Sequence, residues 1–196
     1  MLNKAANAGR APLRDHVDDR YDTDPVAVRA LLKVEKLPQK IWEPCCGTGN
    51  IVRVLRAAGH QVLATDLHAR GCPKSSTRDF LKPAPKFVGV ADAVVTNPPY
   101  ALAEQFIVTA LSRVPLVIAL LRLAFLESDR RSYLLDTGLL ARVHVFANRL
   151  PMMHRDGWDG NRASSAIAFA WFVFVRDHAG PAIIDRIRWE RDAGAA

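Results

Sequence analysis

Short apolar segments alternate with helical segments along most of the chain, and this alternation constrains the fold more than any other feature. A helix is predicted from Pro25, with Asp24 as its N-cap, up to the stop at Leu37-Pro38, and a second helix is predicted over residues 50–58. Strands are predicted at 41–42, 61–65, 93–96, 116–121, 142–146 and 166–174. The pattern indicates an α/β fold with a mainly parallel sheet and helices on its two faces.

The ends of the chain and its length set the expected domain organisation. Residues 1–20 are polar and lack an apolar period, so they are expected to form a flexible N-terminal arm. Residues 21–196 then suit a single domain. The longest apolar run is about half of the roughly 20 residues that a membrane-spanning helix needs. With no secretory leader recognised, we expect a cytoplasmic protein.

The charge and the cysteine content of the chain limit which binding partners and metals are expected. Lys and Arg total 27 against 20 Asp and Glu, a net charge of +7 that favours a polyanionic partner, nucleic acid first. Cys45, Cys46 and Cys72 do not form a disulfide framework, and the chain has no CxxC pair or histidine cluster at ligand spacing. We therefore expect a nucleic-acid partner, no membrane and no metal, and leave a homodimer open.

Residues 43–50 (EPCCGTGN) form a glycine loop between a predicted strand and a predicted helix. Two glycines permit a tight turn and a close approach of the backbone to a ligand. Val52 stands where a dinucleotide fingerprint needs its third glycine, and the lysine of a P-loop is missing. Asp66 ends the next strand, where an acid can bind ribose hydroxyls. These features favour S-adenosylmethionine over NAD, with a plain strand-to-helix turn and a surface aspartate as the alternative.

Asn97-Pro98-Pro99-Tyr100 directly follows an apolar strand. The prolines fix the backbone and lack amide donors, so the Asn97 carboxamide and the Pro98 carbonyl can both accept from one planar amino group. This would favour attack of the nitrogen on a sulfonium methyl without a strong base. Tyr100 offers a flat face for stacking. A turn that only ends a strand explains one proline well, and explains two prolines followed by a tyrosine less well.

With these motifs the chain resembles the S-adenosylmethionine-dependent amino-methyltransferases, most closely the N6-adenine DNA methyltransferases. Residues 123–127 (LAFLE) and 170–174 (AWFVF) further resemble the small phage and prophage type of these enzymes. The resemblance implies a Rossmann-like class I fold, with a seven-stranded, mainly parallel sheet that has one antiparallel strand. It implies methyl transfer to the N6 amino group of adenine in DNA after base flipping. The separate target-recognition domain of gamma-type enzymes is not expected, which leaves target choice to the arm, a loop or a second subunit.

The same resemblance implies the site residues. The catalytic residues are Asn97, Pro98, Pro99 and Tyr100. The cofactor-binding residues are Tyr21, Thr23, Glu43, Pro44, Cys45, Gly47, Gly49, Asn50, Asp66, Leu67, Asp79, Phe80 and Asn97. A cytosine-C5 enzyme with Cys45 as nucleophile is disfavoured, because that cysteine lies in the cofactor loop while the Asn-Pro-Pro-Tyr motif follows the catalytic strand.

A long polar and aromatic loop at 151–165 is the candidate nucleic-acid contact. His154, Arg155, Trp158 and Arg162 could follow a phosphate backbone and stack on bases. The alternative is a solvated connector whose Met and Trp side chains pack on the sheet. Two other functions stay open. One is methylation of an amino group in RNA or in a protein glutamine, and the other is a non-catalytic DNA-binding module that retains the fold.

Overall fold

The computed structural model describes residues 22–83, 89–151 and 167–190. The predicted arm at 1–20 lies outside these ranges. Within them the helices are α1 (Pro25–Val34), α2 (Asn50–Ala57), α3 (Ala103–Arg113) and α4 (Ser132–Leu135). The strands are β1 (Lys40–Glu43), β2 (Gln61–Asp66), β3 (Ser75–Thr77), β4 (Ala93–Thr96), β5 (Leu116–Arg122), β6 (Leu140–Phe146), β7 (Phe169–Val175) and β8 (Ile183–Ile187). No helix in the described ranges has the length and apolar character needed to cross a membrane.

All eight strands belong to one sheet, in the order β3-β2-β1-β4-β5-β7-β6-β8. Neighbouring strands run parallel except on the two sides of β7, which is antiparallel to β5 and to β6. The expectation of one reversed strand is therefore confirmed. The expectation of seven strands is wrong for these residues, because β8 adds an eighth strand, parallel to β6, at the edge of the sheet.

The two strands at the sheet edges, β3 and β8, are those that the apolar pattern did not predict. β3 is a short exposed Ser-Ser-Thr segment, and β8 exposes all of its residues except Ile187. An edge strand pairs on one side only and can leave its side chains in water, so it lacks the continuous apolar run of a covered central strand. β5, in the middle of the sheet, shows that run and was predicted from it.

Helices cover both faces of the sheet, as predicted. Leu31 of α1 and Leu55 of α2 pack with Ile118 and Trp171 on one face. Phe106 and other residues of α3, together with α4, pack with alternate strand residues on the opposite face. Successive side chains of a strand point to opposite faces, so the apolar residues of β5 contribute to both cores.

Helix α1 is fixed at its N-terminus and along its buried face. Asp24 caps it by accepting a 3.0 Å hydrogen bond from the Val26 amide, and Pro25 follows at the first turn. The indole of Trp171 in β7 donates a 2.9 Å hydrogen bond to the carbonyl of Ala27. The segment before the helix, which contains Thr23, is thereby held beside the carboxyl ends of the central strands.

Candidate functional site

A cavity of about 370 Å³ lies where β1, β2 and β4 end. These strands are parallel neighbours, so the segments that follow them meet at one edge of the sheet, where open α/β sheets bind ligands. The predicted site residues that line the cavity are Thr23, Pro44, Cys45, Gly47, Asn50, Asp66, Leu67, Asp79, Phe80, Asn97, Pro98, Pro99 and Tyr100. The topology thus brings together most of the residues that the sequence motifs singled out.

The glycine loop turns through two left-handed residues, Gly47 (φ 51°) and Gly49 (φ 91°). Such angles are favourable for glycine and strained for other residues. The amide of Gly49 donates to the carbonyl of Cys46 at 2.7 Å, which closes the turn before α2. A Cβ on Gly49 would lie 2.8 Å from the Sγ atom of Cys72. Gly49 is therefore required by packing behind the cavity wall and does not itself line the cavity.

Asp66, at the end of β2, connects that strand to the glycine loop. Its Oδ2 atom accepts from the amide of Gly47 at 2.9 Å. Its Oδ1 atom accepts from the amide of His68 at 3.1 Å and from Nε of Arg70 at 3.2 Å. An ionised carboxylate has about four acceptor positions, so three protein donors leave room for a further hydroxyl donor. Asp66 is thus held rigidly in the wall and keeps acceptor capacity toward the cavity.

Glu43, at the end of β1, lies beneath the cavity and is fully buried. Its Oε1 atom accepts from the Cys45 amide at 2.9 Å and from the Thr96 hydroxyl at 2.7 Å. Its Oε2 atom is buried and has no hydrogen-bond partner among the described residues. Burial raises the pKa of Glu43 to about 8, against the lowering effect of these two hydrogen bonds. The carboxyl group is therefore mostly protonated at neutral pH, below the surface where a cofactor contact was predicted.

Asp79 and Phe80 form another part of the cavity wall. Oδ1 of Asp79 accepts from the amide of Leu81 at 3.0 Å, which fixes the local turn. The buried ring of Phe80 meets Trp42 edge-on at 4.9 Å between centroids and stacks on Phe106 at 5.2 Å. An apolar surface beside a carboxylate suits a flat heterocycle that carries an amino group.

The Asn-Pro-Pro-Tyr segment leaves the buried strand β4 and enters a 3₁₀ turn at Tyr100–Leu102, which leads directly into α3. The amide of Leu102 donates to the carbonyl of Pro99 at 2.9 Å and closes this turn. Within the described ranges, Arg122 and Phe169 are among the side chains that contact the ring of Tyr100. The guanidinium carbon of Arg122 lies 4.4 Å from the ring centre, and the ring of Phe169 lies 5.9 Å away. Asn97 and Pro98 face the same cavity as the glycine loop.

The thiol of Cys45 also lies in the cavity wall. Burial raises the pKa of this thiol, and the neighbouring acids Glu43 and Asp66 raise it further. A protonated thiol is a poor nucleophile, so the raised pKa disfavours covalent catalysis by Cys45. Among the described residues no cluster of His, Cys, Asp and Glu could hold a metal ion.

Other residues line the cavity that were not named among the predicted site residues. They are Asp22, Cys46, Ile51, His68, Arg70, Arg78, Leu81, Ala101, Leu102 and Phe106. Most lie within a few positions of a predicted motif, so a wider window around each motif would have included them. Asp22, for example, adjoins Thr23 and accepts a 3.2 Å hydrogen bond from the hydroxyl of Thr48. Phe106 is different, because it lies on α3, which was not predicted.

Five predicted site residues lie outside the described residues. They are Tyr21 of the cofactor set and His154, Arg155, Trp158 and Arg162 of the nucleic-acid set. Their assignments remain predictions from the sequence.

No protein-family model matches the chain, and no curated protein sequence is similar to it. Solved structures do share its fold. A protein described as the modification subunit of a type I restriction enzyme, from Vibrio vulnificus YJ016, superposes with a TM-score of 0.60 at 15% identity. The match covers 90% of this chain and 48% of that protein, so the chain spans about half of its length.

Two further neighbours are methyltransferases by description. A protein described as an RNA methyltransferase from Pyrococcus horikoshii gives a TM-score of 0.54 at 12% identity, covering 77% of this chain and 80% of its own. Magnesium protoporphyrin IX methyltransferase from Synechocystis PCC 6803, solved with bound SAH, gives a TM-score of 0.52 at 16% identity. This match covers 76% of this chain and 80% of that protein. At these identities the similarity shows the fold: the chain has the Rossmann-like fold of methyltransferases that use S-adenosylmethionine.

Proposed function

We propose that this protein transfers a methyl group from S-adenosylmethionine to the N6 amino group of adenine in DNA. The observation that supports this most directly is that Asn97 and Tyr100 share one cavity with the glycine loop and with Asp66. Methyl transfer requires the donor and the acceptor nitrogen to meet at one point. A single cavity bounded by both motifs provides that meeting point.

The residues of the cavity fit S-adenosylmethionine, a nucleoside that carries a positive sulfonium and an ammonium group. Asp66 retains acceptor capacity for the ribose, with Leu67 beside it, and Asp79 with Phe80 offers a carboxylate and an apolar wall for the adenine ring. The remaining predicted cofactor residues of the wall would hold the methionine end: Thr23, Pro44, Cys45, Gly47 and Asn50. When bound, the cofactor supplies an electrophilic methyl group.

The protein's contribution to the reaction is positioning and hydrogen bonding. The carboxamide oxygen of Asn97 and the carbonyl oxygen of Pro98 each accept a hydrogen bond from one N–H of the target amino group. This directs the nitrogen lone pair toward the methyl carbon. As the nitrogen–carbon bond forms, the carbon–sulfur bond breaks and the sulfur keeps its electron pair. The extra proton on the methylated nitrogen then passes to solvent, so no strong base is needed before attack.

Three considerations bear on the proposed nucleic-acid acceptor. The net charge of +7 favours association with a polyanion. Two proteins with this fold are described as acting in nucleic-acid modification. Adenine in a duplex has to be flipped out, at a cost of a few kcal/mol, and Tyr100 offers a flat ring for the extruded base. We propose His154, Arg155, Trp158 and Arg162 as the contacts to the DNA.

The direct test is incubation with methyl-labelled S-adenosylmethionine and unmethylated genomic DNA, followed by analysis of nuclease digests. We expect label in N6-methyladenine. Asn97→Ala should lower the rate by about 100-fold or more, the size of effect seen when one preorganised polar group is lost. Because Asn97 is also a predicted cofactor-binding residue, the affinity for S-adenosylmethionine should fall too, but by no more than about tenfold, roughly 1.4 kcal/mol. The matched control is Asn148→Ala, since that asparagine binds Trp189 away from the cavity.

Two outcomes would contradict the proposal. Absence of label from DNA of several sequences would exclude the DNA substrate, and loss of cofactor binding in Asn97→Ala would exclude the role given to that side chain. The second candidate is another planar amino group, in RNA or in a glutamine side chain, and the RNA methyltransferase among the fold neighbours favours RNA. Methyl acceptance by DNA, RNA and release factors separates these substrates. A non-catalytic module would show no S-adenosylmethionine binding by calorimetry.

A further inference from the structure

Tyr100 lies between two residues that come from neighbouring strands. Arg122 is the last residue of β5 and Phe169 the first residue of β7, and the register of this antiparallel pair places them directly opposite each other. The guanidinium carbon of Arg122 lies 4.4 Å from the centre of the Tyr100 ring. The ring of Phe169 lies 5.9 Å from that of Tyr100, at an interplanar angle of 40°. A cross-strand pair outside the Asn-Pro-Pro-Tyr motif therefore contacts the motif's only aromatic ring.

The environment of Arg122 differs from that of the other arginines nearby. Arg130 pairs with Glu104 at 2.8 Å. Arg131 also lies over an aromatic ring, that of Phe125, at 4.3 Å, but its guanidinium donates to the carbonyl of Phe125 at 2.7 Å as well. Arg122 forms no ion pair with a described residue, and its buried Nε has no hydrogen-bond partner among them. Within the described ranges the guanidinium of Arg122 is thus held mainly by its contact with the Tyr100 ring. A guanidinium that stacks on a tyrosine face is held by the ring quadrupole and by its own planarity.

We propose that Arg122 and Phe169 form a bracket that fixes the plane of Tyr100, which makes Arg122 a positioning residue for the methyl acceptor. The positioning of an acceptor by Arg122 rests on the proposed function. The contacts of Arg122 and Phe169 with the Tyr100 ring do not depend on any substrate. A planar group stacked on Tyr100 takes its orientation from that ring. If the ring tilts, the acceptor nitrogen moves relative to Asn97, and a displacement of about 1 Å can lower a rate by roughly 100-fold.

A direct contact between Arg122 and a phosphate of the acceptor is the competing role. The two roles differ in how Arg122 depends on Tyr100. A bracket acts only through the ring, so replacing Arg122 has no further effect once Tyr100 is gone. A phosphate contact acts independently, so its loss adds fully to the loss of the ring.

The first test follows the ring itself and needs no substrate. The chain has only three tyrosines, so ring-labelled tyrosine gives assignable NMR signals. We expect Arg122→Met to shift the Tyr100 ring signals and to raise the ring-flip rate by about tenfold, equivalent to about 1.4 kcal/mol of lost restraint. Phe169→Leu should act in the same direction. Arg130→Met is the matched control, because Arg130 lies on the nearby segment, is exposed and contacts Glu104. Unchanged Tyr100 signals in Arg122→Met would overturn the bracket.

The second test measures single-turnover methyl transfer in a double-mutant cycle. Arg122→Met should lower the rate by about tenfold, with cofactor affinity within about twofold. In the Tyr100→Ala background the same substitution should change the rate by less than about twofold. A full tenfold effect in that background would overturn the positioning role in favour of direct acceptor binding. If the wild-type protein methylates no acceptor, the proposed function fails, and the ring measurement still decides whether the bracket exists.

Discussion

The hydroxyl of Thr96 donates a 2.7 Å hydrogen bond to Oε1 of Glu43 across the neighbouring strands β4 and β1. Thr96 immediately precedes Asn97, and Glu43 begins the glycine loop. Both residues are buried. This hydrogen bond therefore connects the proposed acceptor side and the proposed cofactor side of the site from beneath the cavity.

Removal of this hydrogen bond should destabilise the protein. Thr96→Val keeps the shape of the side chain and removes the donor, leaving Oε1 of Glu43 with the Cys45 amide alone. Because the acceptor is buried, we expect the free energy of unfolding to fall by about 1–3 kcal/mol. Urea unfolding measures this. Thr137→Val is the control: its exposed hydroxyl donates to the carbonyl of Tyr133, and a change within about 0.5 kcal/mol is expected. Equal effects of both substitutions would contradict the prediction.

Burial of Glu43 should make stability depend on pH. Its pKa is about 8 in the folded protein against 4.5 for the ordinary carboxyl. Between these values the folded state holds a proton that the unfolded state has lost, so the free energy of unfolding falls as pH rises and levels off above about 8. At about 1.4 kcal/mol for each pKa unit, the difference is a few kcal/mol.

The matched variant is Glu43→Gln, which cannot ionise. We expect urea unfolding at pH 5, 7 and 9 to show a smaller loss of stability with rising pH in Glu43→Gln than in the wild-type protein. Parallel pH profiles for the two proteins would show that Glu43 does not titrate in this range.

Two glycines with similar backbone angles allow strain and steric contact to be separated. Gly49 and Gly59 have φ values of 91° and 94°, but a Cβ would meet Cys72 Sγ at 2.8 Å only at Gly49 and nothing within 4 Å at Gly59. Gly59→Ala should lower the free energy of unfolding by about 1–2 kcal/mol, from the left-handed conformation alone. Gly49→Ala should lower the free energy of unfolding by about 1–3 kcal/mol more than Gly59→Ala, because its Cβ would be pressed against Cys72. In the Cys72→Ala background this excess should shrink, as thermal or urea unfolding can measure; an unchanged excess would exclude the contact as its cause.

A partly buried ion cluster connects the end of α1 to β6. Glu35 accepts from Nε of Arg142 at 2.5 Å and from Nε2 of His144 at 2.7 Å. Burial by itself would raise the pKa of Glu35, but the hydrogen bonds from His144 and Arg142 outweigh it and lower the pKa below 4.5. The stability that Glu35 contributes is therefore present above pH 4.5 and is lost as pH falls through the lowered value.

Glu35→Gln should lower the free energy of unfolding at pH 7 by about 1–3 kcal/mol, and the difference from wild type should narrow toward pH 3. The control is Glu190→Gln, since Glu190 pairs with Lys33 at an exposed position, where ion pairs contribute little. A difference that stays constant from pH 7 to pH 3 would show that the Glu35 charge is not responsible.

Much of the fold could be predicted because its signals are local. The capping of α1 by Asp24, the apolar run of β5 and the segment that follows β4 are each encoded within about ten neighbouring residues. Because parallel strands end at one edge, the strand order then explains why Asp66 and Asn97 line one cavity. Helix α3 was not predicted. The edge strands β3 and β8 were not predicted either, because an exposed edge strand carries no covered apolar run.

By itself, the sequence determined the α/β fold class and the chemistry available at the strand ends, since residue type and short-range spacing carry that information. Only the tertiary structure decided which distant residues touch. It placed Glu43 below the cavity, joined it to Thr96 and positioned Arg122 and Phe169 against Tyr100. These contacts arise from the pairing of strands far apart in the chain. Burial and partner choice, which set pKa values and ring orientation, follow from that pairing and leave no local pattern in the sequence.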